Sequence, residues 1–350
     1  MALRRPEAVP GIGDADVERT ADFIAACQSA DGSIPWVDGH VDPWNHIEAA
    51  MALMVGGRRH EAERAFRWLA RRQRADGSWC LSYRAGRPDD HGVDANFCAY
   101  LAAGLRHHAL VGGDDALLAE LWPVLERGIG VALALQRPAG EVVWARHCDG
   151  RPHDFALLTS SACIHLSLRK ALECATALGV ERPAWEAAAD RLAAAVAHRP
   201  ELFRPKDEFS MDWYYPVLGG CVAGAQARVR LAERWETFVI GGAGCRCVAD
   251  RPWITAAETC ELALALDAVG RRDAAVRLFN AVQDMRGEAG GYWTGTVLPE
   301  SCPWPPEQPA WTAAAVVLAA DALLDLTPAA GFFRSLHEED ESGLLEATPA

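Results

Sequence analysis

An all-α fold, an (α/α)6 toroid of six helical hairpins forming an inner and an outer ring, is what this 350-residue sequence predicts. Three observations carry the prediction: a repeating loop, two helix types in alternation, and capping residues where one type gives way to the other. The loop is a glutamine, a Gly-containing turn and a tryptophan. It reads Gln28-Ser-Ala-Asp-Gly-Ser-Ile-Pro-Trp36, then Gln73-Arg-Ala-Asp-Gly-Ser-Trp79, with looser copies at Gln136-Arg-Pro-Ala-Gly-Glu-Val-Val-Trp144 and from Gln283 through Gly290-Gly291-Tyr292-Trp293. Self-similarity of this kind marks one supersecondary unit repeated, each copy burying its apolar face on its neighbours.

Between the loops lie helices of two characters. One set is amphipathic, at about 14–28, 59–73, 115–136, 183–198, 226–239 and 271–285. In the second of these, Ala62, Ala65, Phe66 and Leu69 form the apolar stripe of an otherwise Arg- and Glu-rich segment, as expected of an outer wall. The other set is nearly uncharged, at about 42–56, 93–110, 157–178, 211–224, 253–269 and 309–325. A helix apolar all round, such as the one beginning Trp311-Thr-Ala-Ala-Ala-Val-Val-Leu, is a buried one, as expected of an inner wall. Asp42, Asp94 and Asp212 precede or open inner helices, where a carboxylate caps free N–H groups. Gly56-Gly57, Gly112-Gly113, Gly179 and Gly270 stand where inner helices end, matching C-cap chemistry. No strand-rich block or long linker interrupts the pattern. One domain is expected over 1–328, followed by an acidic tail over 329–350, expected to be disordered and carrying Glu338-Glu-Asp-Glu341.

The bulk numbers bound the function. A formal net charge of -14 argues against a nucleic-acid or anionic-membrane surface. No early apolar run follows Arg4-Arg5, and no stretch reaches the ~18 uninterrupted apolar residues of a membrane span. Eleven cysteines, an odd number, are scattered, and several (Cys98, Cys163, Cys174, Cys260) fall inside apparent helices, as reduced buried thiols do, so a cytoplasmic protein is expected. Oligomeric state leaves no mark in the sequence.

Polar and aromatic residues collect where loops lead into inner helices. The ring brings these starts to one end of the central cavity. They include Asp42-Pro-Trp-Asn-His46, Asp94-Ala-Asn-Phe97, Trp144-Ala-Arg-His147, Asp212-Trp-Tyr-Tyr215 and Arg251-Pro-Trp-Ile-Thr255. Thirteen tryptophans are many, and most lie at these mouths. Aromatic walls with interspersed carboxylates suit a ligand offering flat apolar faces and hydroxyls, or one developing positive charge. Glu258, one turn into an apolar helix, is either paired or functional, because burying a bare carboxylate is costly. Glu261 shares its face. The bland reading makes Asp42 and Asp94 ordinary caps, and the Gln–Trp pairs ties between neighbouring hairpins. Cys245-Arg-Cys247 lacks a second pair at zinc-site spacing, and Asp89-Asp90 with His91 and Asp94 reads equally as an exposed acidic loop. No metal and no cofactor are predicted.

At these residues two resemblances emerge. The Gln-x-x-Asp-Gly-Ser-Trp loops resemble the repeats of squalene–hopene-type terpene cyclases and protein prenyltransferase β-subunits, which are double rings of helical hairpins. The chain departs from both chemistries: no inner helix carries the cyclases' Asp-x-Asp-Asp proton donor, and Asp94-Ala-Asn-Phe-Cys98 lacks the spacing of the transferases' zinc-binding Asp-x-Cys pair.

The second resemblance spans more of the chain. Asp42 through Trp79 resembles the early hairpin of glucoamylase-type six-hairpin glycosidases. Gly140-Glu-Val-Val-Trp-Ala-Arg, with the helix from Ser160, is similar to that family's acid-bearing loop, and Val297-Leu-Pro-Glu300 to its base-bearing segment. This resemblance implies carbohydrate chemistry with Glu300 as the base. It also implies a Glu directly after the loop tryptophan as general acid, and here Ala145 follows Trp144. Glu258 or Asp212 is then the candidate acid. Trp36, Trp44, Trp144, Trp253 and Trp293 are the expected stacking faces. Asp42, Asn45, His46, Asp94, Asn96, Arg146, His147, Tyr214 and Arg251 are the expected hydroxyl-binding and cavity-lining groups. That density of hydrogen-bonding groups favours a glycoside or sugar-bearing metabolite over a hydrocarbon. A terpene cyclase or prenyltransferase relative, and a glycan-binding ring without catalysis, are the alternatives.

Overall fold

In a computed structural model, residues 12–337 are described. Among them the inner ring consists of α2 (Pro43–Val55), α4 and α5 (Ala95–Ala99 and Leu101–Gly112, one helix jointed at Tyr100), α7 (Leu158–Ala177), α9 (Ser210–Leu218), α12 (Ala256–Ala268) and α14 (Ala310–Leu324). The outer ring consists of α1 (Asp14–Cys27), α3 (Arg59–Ala70), α6 (Ala116–Ala134), α8 (Pro183–His198), α10 (Gly224–Glu233) with the short α11 (Trp235–Phe238), and α13 (Arg272–Ala281). The inner helices pack in chain order, α2 on α5, α5 on α7, α7 on α9, α9 on α12 and α12 on α14. α14 then packs back on α2 and closes the circle. This is the predicted (α/α)6 toroid.

Sequence character decides which ring a helix joins. On α3 only Ala62, Ala65, Phe66, Trp68 and Leu69 are buried, one face of the helix. On α14 every residue from Thr312 to Leu323 is buried, because its Ala- and Val-rich surface lets neighbours approach on all sides.

The repeated loops lace the outer ring. Gln73 Nε2 donates to Gly77 O (2.9 Å) in its own loop and to Val124 O (2.7 Å) on α6. Gln28 does the same to Gly32 O and to Glu61 O on α3, and Gln136 to Gly140 O and to Ala188 O on α8. The loop glycine is required by the same contact. A Cβ at Gly77 would stand 2.7 Å from Arg127 O, and one at Gly140 2.4 Å from Arg191 O. Gly290 meets Arg19 O on α1 in this way, so the fourth loop joins the last hairpin to the first. Gln283 departs from the pattern. Its amide donates to Phe279 O, and its carbonyl accepts from the Tyr292 hydroxyl. The motif that suggested a cyclase is thus an architectural tie.

Turns from inner to outer helices are short, such as 56–58 and 269–271, whereas connections from outer to inner helices are long. One end of the ring therefore carries the long loops. They hold small antiparallel sheets that the sequence pattern did not announce. Val93–Asp94 pairs with Ala145–Arg146, and Gly295–Val297 lies between Trp253–Thr255 and Cys302–Pro303.

Residues 329–337, assigned to the tail from sequence, pack against the ring instead. Phe332 and Phe333 are buried, Lys170 Nζ donates to Ser335 Oγ (2.8 Å), and Arg334 pairs with Asp267 (2.6 Å). The acidic run Glu338-Glu-Asp-Glu341 lies outside the described residues. Among those residues no helix is long and apolar enough to cross a membrane.

Candidate active site

Asp42 and Asp94 begin inner helices as caps. Asp42 Oδ1 accepts from Asn45 N (3.0 Å), and Asp94 Oδ1 from Asn96 N (2.7 Å) and Phe97 N (3.3 Å). Both carboxylates have a second engagement inside the mouth. Asp42 Oδ2 accepts from Trp36 Nε1 (2.6 Å) and Asn45 Nδ2 (2.8 Å), while Asp94 faces the Trp144 indole. Trp36 in turn lies against Trp311, with ring centroids 5.3 Å apart.

Three more carboxylates, Glu48, Glu258 and Glu261, project from the inner wall, and all five are buried. Burial pushes Asp94 up to about 7, and the nearby charge of Asp42 adds to the rise. Burial likewise raises Glu48 to about 7, although Tyr100 OH and Trp44 Nε1 both donate to its Oε1. Glu261 is raised well above the carboxylate range by burial, then by Glu48 and Glu258, despite accepting from both Tyr214 and Tyr215. Glu48, Tyr100, Tyr215 and Glu261 line a narrow cavity on the axis of the ring. Glu258 differs from its neighbours in that Oε2 is buried without a hydrogen-bond partner.

Other polar atoms at the same end share that condition. Ser160 Oγ, Ser161 Oγ, Thr255 Oγ1, Trp311 Nε1 and Thr312 Oγ1 are buried and unpartnered, and each lies at or just before the first turn of α7, α12 or α14. A buried donor or acceptor left unmade costs about 1–3 kcal/mol. A cluster of them at one mouth is what a hydroxyl-rich ligand would satisfy. By contrast, a surface hollow of about 940 Å³ lies beside the C-terminal end of α7, and its arginines Arg106 and Arg182 are paired with Glu173 and Glu126. It has none of the buried carboxylates.

The structure gathers Trp36, Asp42, Trp44, Asn45, Asp94, Asn96, Trp144 and Glu258 at the mouth or on the wall just below it. It distributes the other sequence candidates differently. Glu300 is exposed in the turn between two rim strands. Asp212 is half-buried, and its Oδ1 ties α9 to Thr159 at the start of α7. It is not the cap of its own helix, whose N-cap residue is Phe209. His46 spends both nitrogens on backbone, accepting from Ile34 N and donating to Ala65 O, and burial lowers it to about 4. Tyr214 is wholly buried on Glu261. Arg146 pairs with Asp76 (3.1 Å), and His147 stacks on His153 at a centroid distance of 3.8 Å. Arg251 is exposed at the rim beside Asp250. Trp253 Nε1 donates to Trp304 O (2.7 Å), and Trp293 packs half-buried on the core. Sequence reasoning missed Glu48, although the signal that singled out Glu258, an acid inside an apolar helix, is equally present there. Among the described residues no group of three or more His, Cys, Asp or Glu is placed to hold a metal ion.

No known family model matches the sequence. Solved structures with the same architecture include a glycosidase (TM-score 0.67, 17% identity, covering 90% of this chain and 98% of that one). A D-mannose isomerase also matches (TM-score 0.67, 11% identity, covering 89% and 97%). At these identities they establish the fold. A curated relative goes further: the MMP endo-(1,4)-3-O-methyl-alpha-D-mannosidase of Mycolicibacterium hassiacum is 47% identical over 335 residues, which cover 94% of this chain and 93% of the relative. A carboxylate-lined, aromatic mouth on a glycosidase-type toroid, with identity sustained over nearly its whole length, means that the chain belongs to the family of this mannosidase and is a carbohydrate-active, glycoside hydrolase-like enzyme.

Proposed function

We propose that the enzyme cuts α-(1,4)-linked 3-O-methyl-D-mannose chains internally. In this reading Asp94 is the proton donor to the leaving glycosidic oxygen, and Glu258 is the base that activates water. The substrate class rests on the relative's specificity. The catalytic assignment is carried by one observation: in the mouth ladder Asp94 pairs directly with Ala145. Residues opposite one another in an antiparallel pair project to the same face with Cβ atoms about 4.5–5.5 Å apart. The carboxylate missing after Trp144 is therefore supplied from the neighbouring strand, into the same space. Burial holds Asp94 at about 7, which keeps a proton available near neutral pH, as a general acid requires.

Glu258 stands on the opposite wall, since α4 and α12 are three places apart in the closed ring of six inner helices. Two carboxylates flanking a bound sugar are the arrangement of glycoside hydrolysis. The C–O bond to the leaving sugar breaks as the Asp94 proton passes to that oxygen. Water forms the new C–O bond and yields its proton to Glu258 Oε2. The emerging positive charge on the anomeric centre faces Asp42 and the rings of Trp36 and Trp144. Trp253 and Trp293 extend the stacking surface, and Asn96, Ser160, Thr255 and Thr312 are the partners for ring hydroxyls.

The test is chromatographic. Wild type should release internal fragments from a long α-(1,4)-linked 3-O-methylmannoside chain, and Asp94→Asn and Glu258→Gln should each lower kcat by about 10²–10⁴. A wild type that trims only chain ends, or an Asp94→Asn enzyme of near-normal rate, would overturn the proposal.

A further inference from the structure

Trp304 is 53% exposed, one of three large apolar side chains so exposed among the described residues. It sits in the long connection between α13 and α14, in the run Cys302-Pro-Trp-Pro-Pro306. Its backbone is pinned on both sides: Trp304 N donates to Gly295 O (2.9 Å), and Trp304 O accepts from Trp253 Nε1 (2.7 Å). The two indoles meet edge to face with centroids 4.9 Å apart. Flanking prolines fix φ and remove backbone freedom, so the exposed indole is held ready with little ordering left to do on binding.

Exposure of this kind costs solubility unless something covers it. The other two exposed apolar residues, Val37 and Val229, lie on the connection between α1 and α2 and on the outer helix α10, so no broad apolar patch surrounds Trp304. A single exposed indole, backed by Trp253 and its flanking prolines, suits a ligand with one small apolar face and many hydroxyls better than a broad protein surface. Its place in the ring adds direction. The sheet bearing Trp304 leads into α12 and α14, whereas the ladder of Asp94 and Ala145 leads into α4 and α7, on the opposite side of the closed circle. Trp304 therefore marks the side away from the proposed proton donor.

We propose that Trp304, braced by Trp253, is an outer subsite on which a distal sugar of the bound chain stacks, on the side of the cleavage point away from Asp94. The inference rests on the endo-mannosidase reading and deepens it: an enzyme that cuts internally holds its chain on both sides of the scissile bond. The opposite flank is the stack of exposed His147 on half-buried His153 beside Trp144.

The experiment compares wild type, Trp304→Ala and Trp304→Phe on α-(1,4)-linked 3-O-methylmannosides of graded length, following kcat/KM and product sizes. The expected result is a three- to tenfold loss for Trp304→Ala on long chains. The shortest chain that is cleaved should react as with wild type, the cutting positions should shift, and Trp304→Phe should recover most of the rate. Equal loss at every length, no loss at any length, or no recovery with Phe overturns the subsite. A wild type that cleaves none of the series overturns the substrate reading itself and the subsite with it.

Discussion

Asp94 offers a quantitative test, because the property that fits it for proton donation must also destabilise the fold. Its carboxyl is carried from 3.8 to about 7 by burial. Below pH 3.8 the group is protonated folded or unfolded and costs nothing. As pH rises the unfolded chain ionises first, so the native state holds the extra proton and stability falls until pH passes the folded value of about 7. At ~1.36 kcal/mol per pH unit the full penalty is about 4 kcal/mol, of which roughly 2.5 kcal/mol develops between pH 5 and pH 8. Asp94→Asn removes the titration but keeps an oxygen to accept from Asn96 N and Phe97 N, and Asn caps helices as well as Asp. The variant should therefore gain roughly 2.5 kcal/mol on wild type between pH 5 and pH 8 while losing catalysis. Urea unfolding of both proteins at half-unit pH steps measures this directly. A stability difference that does not vary with pH, or an Asn variant weaker than wild type at pH 8, would refute the reasoning. In wild type, kcat/KM should also decline above about pH 7 as Asp94 loses its proton.

Further outcomes follow from other named contacts. Gln73→Ala leaves the carbonyls of Gly77 and Val124 unmatched and removes the acceptor of the Arg127 guanidinium, so it should cost about 1–3 kcal/mol in urea unfolding and leave KM unchanged. Gly140→Ala should cost more than Gln73→Ala in the same assay. Its Cβ would meet Arg191 O at 2.4 Å, and its φ of 111° lies where side chains are strained. Glu300→Gln, altering an exposed rim carboxylate, should lower kcat less than about tenfold, far short of the loss expected for Glu258→Gln.

The rings were legible because ring membership is written in composition. A helix like α14 has no polar face to turn outward, and one like α3 has only one apolar face to turn inward. The repeat was legible for a similar reason: one Gln and one Gly solve the same local problem at three outer-helix junctions, those of Gln28, Gln73 and Gln136. The mouth was readable only in outline. Residues opening inner helices had to converge, so Asp42, Asp94 and Glu258 could be singled out. The rest depended on pairings across loops that carry no period. Nothing in Val93-Asp94 or Ala145-Arg146 announces that the two segments form a ladder, so the sequence alone does not show that the residue opposite Ala145 is a carboxylate, Asp94. His46 failed in the opposite way. Its residue type suited a hydroxyl partner, but backbone groups of Ile34 and Ala65 occupy both nitrogens.

The ring also explains why acids can be gathered so densely. Every inner helix begins at the mouth, so the positive ends of their dipoles point at one space, each favouring negative charge by about 0.3–1 kcal/mol. Were that the dominant effect, Asp94 and Glu48 would lie below the ordinary carboxylate range. They lie above it, at about 7, so burial outweighs the dipoles and the hydrogen bonds combined. The balance is set by desolvation, and Asp94 shows it at a helix start. Glu48 and Glu261 sit a turn or more inside their helices, where the dipole fades within the first turn and desolvation does not. Glu48 and Glu261 therefore favour their protonated forms, while the oxygens of Asp42 accept from three donors. A toroid with helix starts at one end thus gathers carboxylates into one space, and it is burial, at a helix start for Asp94 as much as inside the helix for Glu48, that keeps their protons near neutral pH.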